Sequence, residues 1–235
     1  MTQPTVVLLH GAGLGGWMWE PSVSALRKTH RVLTPDLPGH ADSAVPHFTT
    51  NAAAADLIAA DLGSDPVALV GFSIGGQVAI ELAARHPSLV SRLMVVSSLS
   101  TRSVSPLLMA ALLRVTRPLA GTRRFARAQA RASFVPDSSF ESYWRSSSHL
   151  TSASLGAIGR ENFSYRAPAD WADSTIPTDL IAGSMEPGFV LTGMRELHRL
   201  RPSASLEIVE GAGHGVPIER PEWFGERLAA FLQKD

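Results

Sequence analysis

The sequence predicts an α/β fold: a mostly parallel sheet of about six strands flanked by helices, with a helical insertion before the last two strands. Three observations predict it. Short apolar runs rich in Val, Ile and Leu alternate with longer stretches of helical pattern. The runs are continuously apolar rather than alternating, as strands covered on both faces require. The rhythm breaks once, between about 101 and 170, where no clear strand is found.

The elements follow in order. "TVVLLH" (5–10) is the first strand. It follows the first residues directly, without a basic stretch and a long apolar segment, so no signal peptide is expected. A helix over 17–29 leads to "RVLTPD" (31–36), and a helix over 51–62 leads to "VALVGF" (67–72). A helix over 74–86 then precedes "RLMVVS" (92–97). After the break come "TDLIAG" (178–183), a helix over 188–200, "LEIVEG" (206–211) and a helix over 221–233. The last carries Pro221 early, with Trp223, Phe224, Leu228, Phe231 and Leu232 at roughly helical spacing. Right-handed crossovers join such units. The expected division is a core of 1–100 and 171–235 with a lid of 101–170.

At 235 residues, with 45% apolar and 18% charged residues, the chain has the composition of one folded domain. Its formal net charge of zero offers no bulk field for nucleic acid or an anionic membrane. There is no cysteine, which excludes disulfides, thiolate metal sites and a Cys nucleophile. No apolar run approaches the ~18 residues of a membrane span. No His/Asp cluster suggests a metal, and the chemistry below needs no cofactor. The expected partner is a small-molecule substrate, and the expected setting is a soluble, cytoplasmic one. From 101 to 136 the insertion carries Arg102, Arg114, Arg117, Arg123, Arg124, Arg127 and Arg131 and no acidic residue. This is read either as a solvated basic face, the usual fate of a charge run, or as a lid that attracts an anionic substrate.

"LVGFSIGGQVAIEL" (69–82) holds the strongest chemical signal. Gly71-Phe72-Ser73-Ile74-Gly75 matches G-x-S-x-G where an apolar strand passes into a helix. A serine on so sharp a turn is held with its hydroxyl clear of the backbone. The flanking glycines remove side chains that would clash. The helix start favours a developing anion there. The plainer reading is an N-cap serine, against which the strand–turn–helix context weighs. Acyl transfer at serine also needs donors aimed at the oxygen that becomes negative. The amide of Ile74, the residue after the serine, supplies one. "LLHGAGLGGW" (8–17) offers a loop for the other, with Ala12 the expected donor and Gly13 its alternative. His10 is read as a loop histidine rather than a base.

"HGAG" after the first strand, "DLPGHADS" (36–43), "GFSIGG" and "GAGHG" (211–215) together resemble the α/β-hydrolase superfamily. The resemblance runs from the first strand to the terminal helix, with 101–170 in the place of the variable cap. It implies an α/β-hydrolase fold and a serine–histidine–acid triad, and says little about substrate. Ala41 stands where that family usually has Gly.

The serine needs a base. Of eight histidines, only His214 lies just past a strand in a loop of small residues, "EGAGHGVPIERPE". It also comes last, as in the order Ser…Asp/Glu…His. The base in turn needs a carboxylate to fix its tautomer. The family places this acid after the strand preceding the histidine strand, often as Asp before Pro. Here "GSMEPG" puts Glu186 at that position, 28 residues before His214. The loop after "RLMVVS" holds no acid. Asp179 lies inside its strand, Asp36 precedes the serine, and Asp170 and Asp173 read as turn residues.

The expected activity is hydrolysis of an ester, thioester or lactone of a small to medium, partly apolar substrate through an acyl-enzyme. A lyase or C–C hydrolase using the same serine and histidine for proton transfer is the alternative. A non-catalytic small-molecule receptor is a third reading, against which a complete triad weighs. A Ser at the elbow, where related haloalkane dehalogenases and epoxide hydrolases carry Asp, argues against those activities. Trp17, Trp19, Phe72 and the Leu-rich face of "SPLLMAALLRVTRPLAG" are candidate pocket walls.

Overall fold

The structure is a computed structural model, and it describes residues 3–100 and 122–233. Six strands form one wholly parallel sheet: β1 (Thr5–Leu9), β2 (Arg31–Leu33), β3 (Val67–Phe72), β4 (Val90–Val96), β5 (Thr178–Gly183) and β6 (Ser205–Val209). Their spatial order is β2-β1-β3-β4-β5-β6. The chain leaves β1 toward β2 and then crosses back to β3. This reversal opens a crevice between the C-terminal ends of β1 and β3, where open α/β sheets bind ligands.

The helices are α1 (Glu20–Leu26), α2 (Asn51–Asp61), α3 (Ile74–Arg85), α4 (Arg123–Ala132), α5 (Phe140–His149), α6 (Ser152–Ser164), α7 (Gly188–Leu200), α8 (Val216–Glu219) and α9 (Pro221–Leu232). Side chains alternate between the two sheet faces, so each face builds its own core. Val7, Leu9, Leu69, Leu93, Val95 and Leu180 meet Ile58, Val78, Leu82, Met194 and Leu197 on one side. Val6, Leu8, Val70, Met94, Val96 and Ile181 meet Leu26, Phe224, Leu228 and Phe231 on the other. Each fully buried side chain of this size contributes about 1.5–3 kcal/mol. Thr50, Thr122 and Thr151 cap α2, α4 and α6 by accepting amides of their first turns.

Two expected elements are shorter in the structure. The helix expected over 17–29 is a 3-10 turn, Gly16–Trp19, followed by α1, which ends at Leu26. β2 keeps only Arg31–Leu33 because Pro35 has no amide to donate and Asp36 turns away to accept the amide of Gly16 at 2.8 Å. Helices α4 to α6 occupy the stretch between β4 and β5 where no strand is expected. Arg102, Arg114, Arg117 and the Leu-rich face of 105–121 lie outside the described residues.

Candidate active site

β3 ends at Phe72 and α3 starts at Ile74, so Ser73 alone makes the turn. Its φ of 55° and ψ of −121° are costly for a residue with a side chain. Glycines allow the turn to close. A Cβ on Gly71 would lie 2.2 Å from the Gly75 carbonyl oxygen, and one on Gly75 would lie 2.5 Å from the carbonyl oxygens of Leu9 and His10. The end of β1 is thus pressed against the turn. Ser73 makes no side-chain cap bond to its helix, which removes the N-cap reading. Its Oγ stands 3.2 Å from Nε2 of His214.

His214 follows β6 in a loop that Gly211 turns at φ 69°. Its Nδ1 lies 2.8 Å from Oε2 of Glu186. An ionised carboxylate only accepts, so Nδ1 carries the proton and the Nε2 lone pair faces the serine hydroxyl. Glu186 is 6% exposed. Its Oε1 accepts from Ser97 Oγ at 2.5 Å and from the Gly183 amide at 3.1 Å, so each oxygen has a distinct task. The additional methylene of Glu, relative to Asp, folds the carboxylate back over its own turn to the end of β4.

Ser97 and Ser98, in the acid-free loop after β4, are functional residues that the sequence motifs do not mark. Ser98 Oγ donates to the Ser73 carbonyl at 3.0 Å and braces the turn. A cluster of serines at the C-terminal end of a buried strand, "VVSSLS" (95–100), is the signal that was available.

After β1, Leu14 N–H bonds to the Gly11 carbonyl at 3.2 Å and closes a turn with Ala12 and Gly13 at its centre. Gly13 takes φ 73°, as the third position of a type II turn demands. The Ala12 amide takes no part in that turn's bond. Ile74 opens α3, where the first amides have no acceptor within the helix. A Cβ on Gly11 would come within 3.3 Å of Ser73 Cβ, so Ala12 follows directly on the residue that flanks the serine.

His10 is a structural residue. Its Nε2 accepts the Leu37 amide at 2.9 Å, which leaves Nδ1 to donate to the Gly11 carbonyl at 2.8 Å. Burial, and next the neighbouring His40, lower its pKa to about 3. Asp36 accepts amides of Gly16 and Asp42. Asp179 sits near the start of β5, away from the Gly183 end, and bonds Ser205 Oγ at 2.6 Å and Arg227 at 2.8 Å. Asp170 lies in the first turn of the short 3-10 helix Ala169–Trp171.

The pocket expectation needs correction at Trp19. Trp19 is fully buried and packs against Phe224 at 5.8 Å between ring centroids, because the 3-10 turn carries it into the core. Trp17 is half-buried, donates Nε1 to Ser146 Oγ at 2.9 Å, and lines a polar cleft of about 260 Å³ with Thr34, Asp36, Asp42 and Arg145. None of Ser73, Glu186 or His214 lines that cleft. Phe72 is buried, with its ring 5.2 Å from that of His214, beside the imidazole.

The parallel sheet, the serine turn at a strand–helix junction and the histidine loop at the same sheet edge define an α/β-hydrolase-type architecture. Comparison with known proteins agrees. The model of the alpha/beta hydrolase family matches residues 6–227, and the chain belongs to that family. A pimeloyl-[acyl-carrier protein] methyl ester esterase of Aromatoleum aromaticum is 30% identical over 94% of this chain and 95% of its own length. One of the same name from Vibrio campbellii is 42% identical over a shorter alignment, which takes in 40% of this chain and 37% of that relative. The enol-lactonase of Burkholderia xenovorans shares the fold, with a TM-score of 0.81, 23% identity, and 100% and 93% of the two chains covered. Among the described residues no helix is long and apolar enough to cross a membrane.

Proposed function

We propose that the chain hydrolyses a carboxylic ester, thioester or lactone of a small to medium acyl compound through a Ser73–His214–Glu186 triad and an acyl-enzyme. The observation that carries this reading is the continuous chain of contacts from Ser73 Oγ to His214 Nε2 at 3.2 Å and from Nδ1 to Glu186 at 2.8 Å. Nε2 takes the serine proton as Oγ adds to the ester carbonyl. The amides of Ile74 and Ala12 receive the oxyanion. Imidazolium then protonates the leaving alcohol, and water returns by the same route to release the acid and Ser73. Glu186 stays ionised and stabilises the imidazolium.

The full-length relative supports an alkyl ester of a medium-length acyl chain as the substrate. Residues 101–170 act as the cap in this reading, and the enzyme works in the cytoplasm. The exposed Arg124 and Arg131 on α4 suit an anionic substrate or carrier, whereas Arg123 is already paired with Glu141 and Arg127 lies over the Phe140 ring at 4.3 Å. The test is a serine-directed fluorophosphonate, with the adduct located by mass spectrometry, beside turnover of short and medium p-nitrophenyl esters and of methyl esters. Labelling of Ser73, lost in Ser73→Ala together with turnover, is expected. An intact, unlabelled Ser73 and no ester turnover would defeat the reading.

A further inference from the structure

Four residues other than glycine have positive φ among the described residues: Ala41, Ser73, Ser97 and Phe134. Backbone strain of this kind gathers where function requires it. Ser73 is the nucleophile of the proposed reaction, and Ser97 holds Glu186. Phe134, at φ 58°, is the bulkiest of the four and the least expected there.

Phe134 ends α4 in a Schellman motif. Val135 N–H bonds to the Ala130 carbonyl at 2.9 Å and Phe134 N–H to the Arg131 carbonyl at 3.1 Å, which puts Phe134 at the left-handed position that glycine ordinarily fills. The motif needs no phenylalanine, since the apolar contact that usually accompanies it falls to the next residue, and Val135 is buried. Nor does the ring complete a core: Phe134 is 44% exposed. Its ring lies instead over the loop that carries His214. A Cβ on Gly213 would come within 3.0 Å of Phe134 Cε2 and 3.3 Å of Cζ, and a Cβ on Gly215 within 3.3 Å of Cδ2. The ring therefore covers both glycines that flank the imidazole. The Ser133 carbonyl closes on Gly215 as well, at 3.2 Å from its Cβ position.

We infer that Phe134 is a positioning residue for His214: it presses the Gly213–Gly215 backbone into the one arrangement that keeps Nε2 on the serine hydroxyl. The inference rests on the triad reading above. The loop is otherwise tied by the Gly213 amide to Glu219 at 2.7 Å and by the Met185 amide to the Ala212 carbonyl at 2.9 Å. Both bonds lie before His214. The amides of Ile218 and Glu219 hold the Gly215 carbonyl at 2.8 Å after it. Between those anchors the imidazole is held by Glu186 at 2.8 Å, but the two flanking glycines leave the main chain conformational freedom that the ring of Phe134 restricts. Misplacing a reacting group by about 1 Å costs on the order of 10²-fold in rate, so partial loosening has a readable effect.

The test compares Phe134→Gly with Phe134→Tyr. Glycine relieves the left-handed strain, so the variant folds and its Tm stays level or rises. Its kcat and its rate of fluorophosphonate labelling at Ser73 are expected to fall roughly tenfold, with KM nearly unchanged. Phe134→Tyr keeps the ring and should hold both rates within about twofold of the parent. Wild-type rates in Phe134→Gly would overturn the inference, and so would a change confined to KM, which would make Phe134 a wall of the substrate site. If the parent itself neither labels nor turns over, the triad reading fails instead.

Discussion

The serine turn and the acid turn stand at one sheet edge but are held by different means. At the serine turn, main chain meets main chain: Gly71 packs on the Gly75 carbonyl, and Gly75 on the carbonyls that end β1. Only glycine fits, and the arrangement leaves a spaced pattern in the sequence. Glu186 is held by side-chain and amide hydrogen bonds from Ser97, Gly183 and His214. Such bonds constrain one carboxylate and leave no repeating signature. Backbone contact dictates residue type, whereas a hydrogen-bonded side chain dictates only reach.

The largest effect expected from this contrast is in Glu186→Gln. Ser97 Oγ and the Gly183 amide both donate to Oε1, so the Gln carbonyl oxygen keeps that place and its NH2 group turns to His214. Nδ1 must then accept, which moves the imidazole proton to Nε2 and leaves no lone pair for Ser73. A fall in kcat on the order of 10³–10⁴-fold is expected with the fold intact. Asp36→Asn and Asp179→Asn, measured alongside, should keep most of the parent kcat. Full activity in the Gln variant would move the acid elsewhere.

Gly75→Ala tests the other side of the comparison. A methyl group 2.5 Å from two carbonyl oxygens of the β1 end must displace backbone on both sides. A loss of about 3 kcal/mol or more of stability is expected, read as the shift in urea midpoint at constant slope. If Ala is accepted at no cost, the turn is not set by main-chain contact.

The same contrast explains what the sequence reveals. Ser73 is legible because the glycines of its turn meet backbone and the allowed residue types are few, and His214 because it comes last in chain order, in a loop of small residues just past a strand. Glu186 is legible only through chain order and the lack of an acid after β4. Ser97 leaves only the weak trace of a serine cluster at a strand end, and Phe134 leaves none, since a positive φ at Ser or Phe is set by tertiary contact. Trp19 lies in the core rather than in a pocket because the 3-10 turn, which its place after the β1 loop does not reveal, carries it inward. The strands are legible from continuous apolar runs, and the last helix from apolar residues at roughly helical spacing. β2 is shorter than its run because pairing ends at Leu33 and the "TPD" that follows (34–36) brings Pro35, which has no amide to donate.

His10 lies behind the β1 loop and couples that loop to pH. Its folded-state pKa, about 3, lies below the ordinary 6.5 because burial excludes the charged form. The unfolded chain thus binds the proton first on acidification. The stability from neutral, buried His10 is complete above pH 6.5 and is lost as pH falls from there toward 3. His10 alone contributes a slope of up to about 1.4 kcal/mol per pH unit in that window. Urea midpoints measured across this window should fall less steeply in His10→Asn than in the parent. Equal slopes would show that His10 does not titrate on unfolding.

The smallest effect separates strain that serves the site from strain that does not. Ala41 has φ 41°, and its carbonyl lies 3.2 Å from Nδ1 of His149. Among the described residues no hydrogen bond ties it to Ser73, His214 or Glu186. Glycine there would relieve the left-handed conformation and give back part of the gain as unfolded-chain entropy, for a net stabilisation of about 0.5–1 kcal/mol. In a domain of this size that is roughly a 1–4 °C rise in Tm. Ala41→Gly should therefore raise Tm with kcat unchanged, whereas Phe134→Gly should hold or raise Tm and lower kcat. If the two glycine variants behave alike, left-handed backbone does not mark the residues that position the triad.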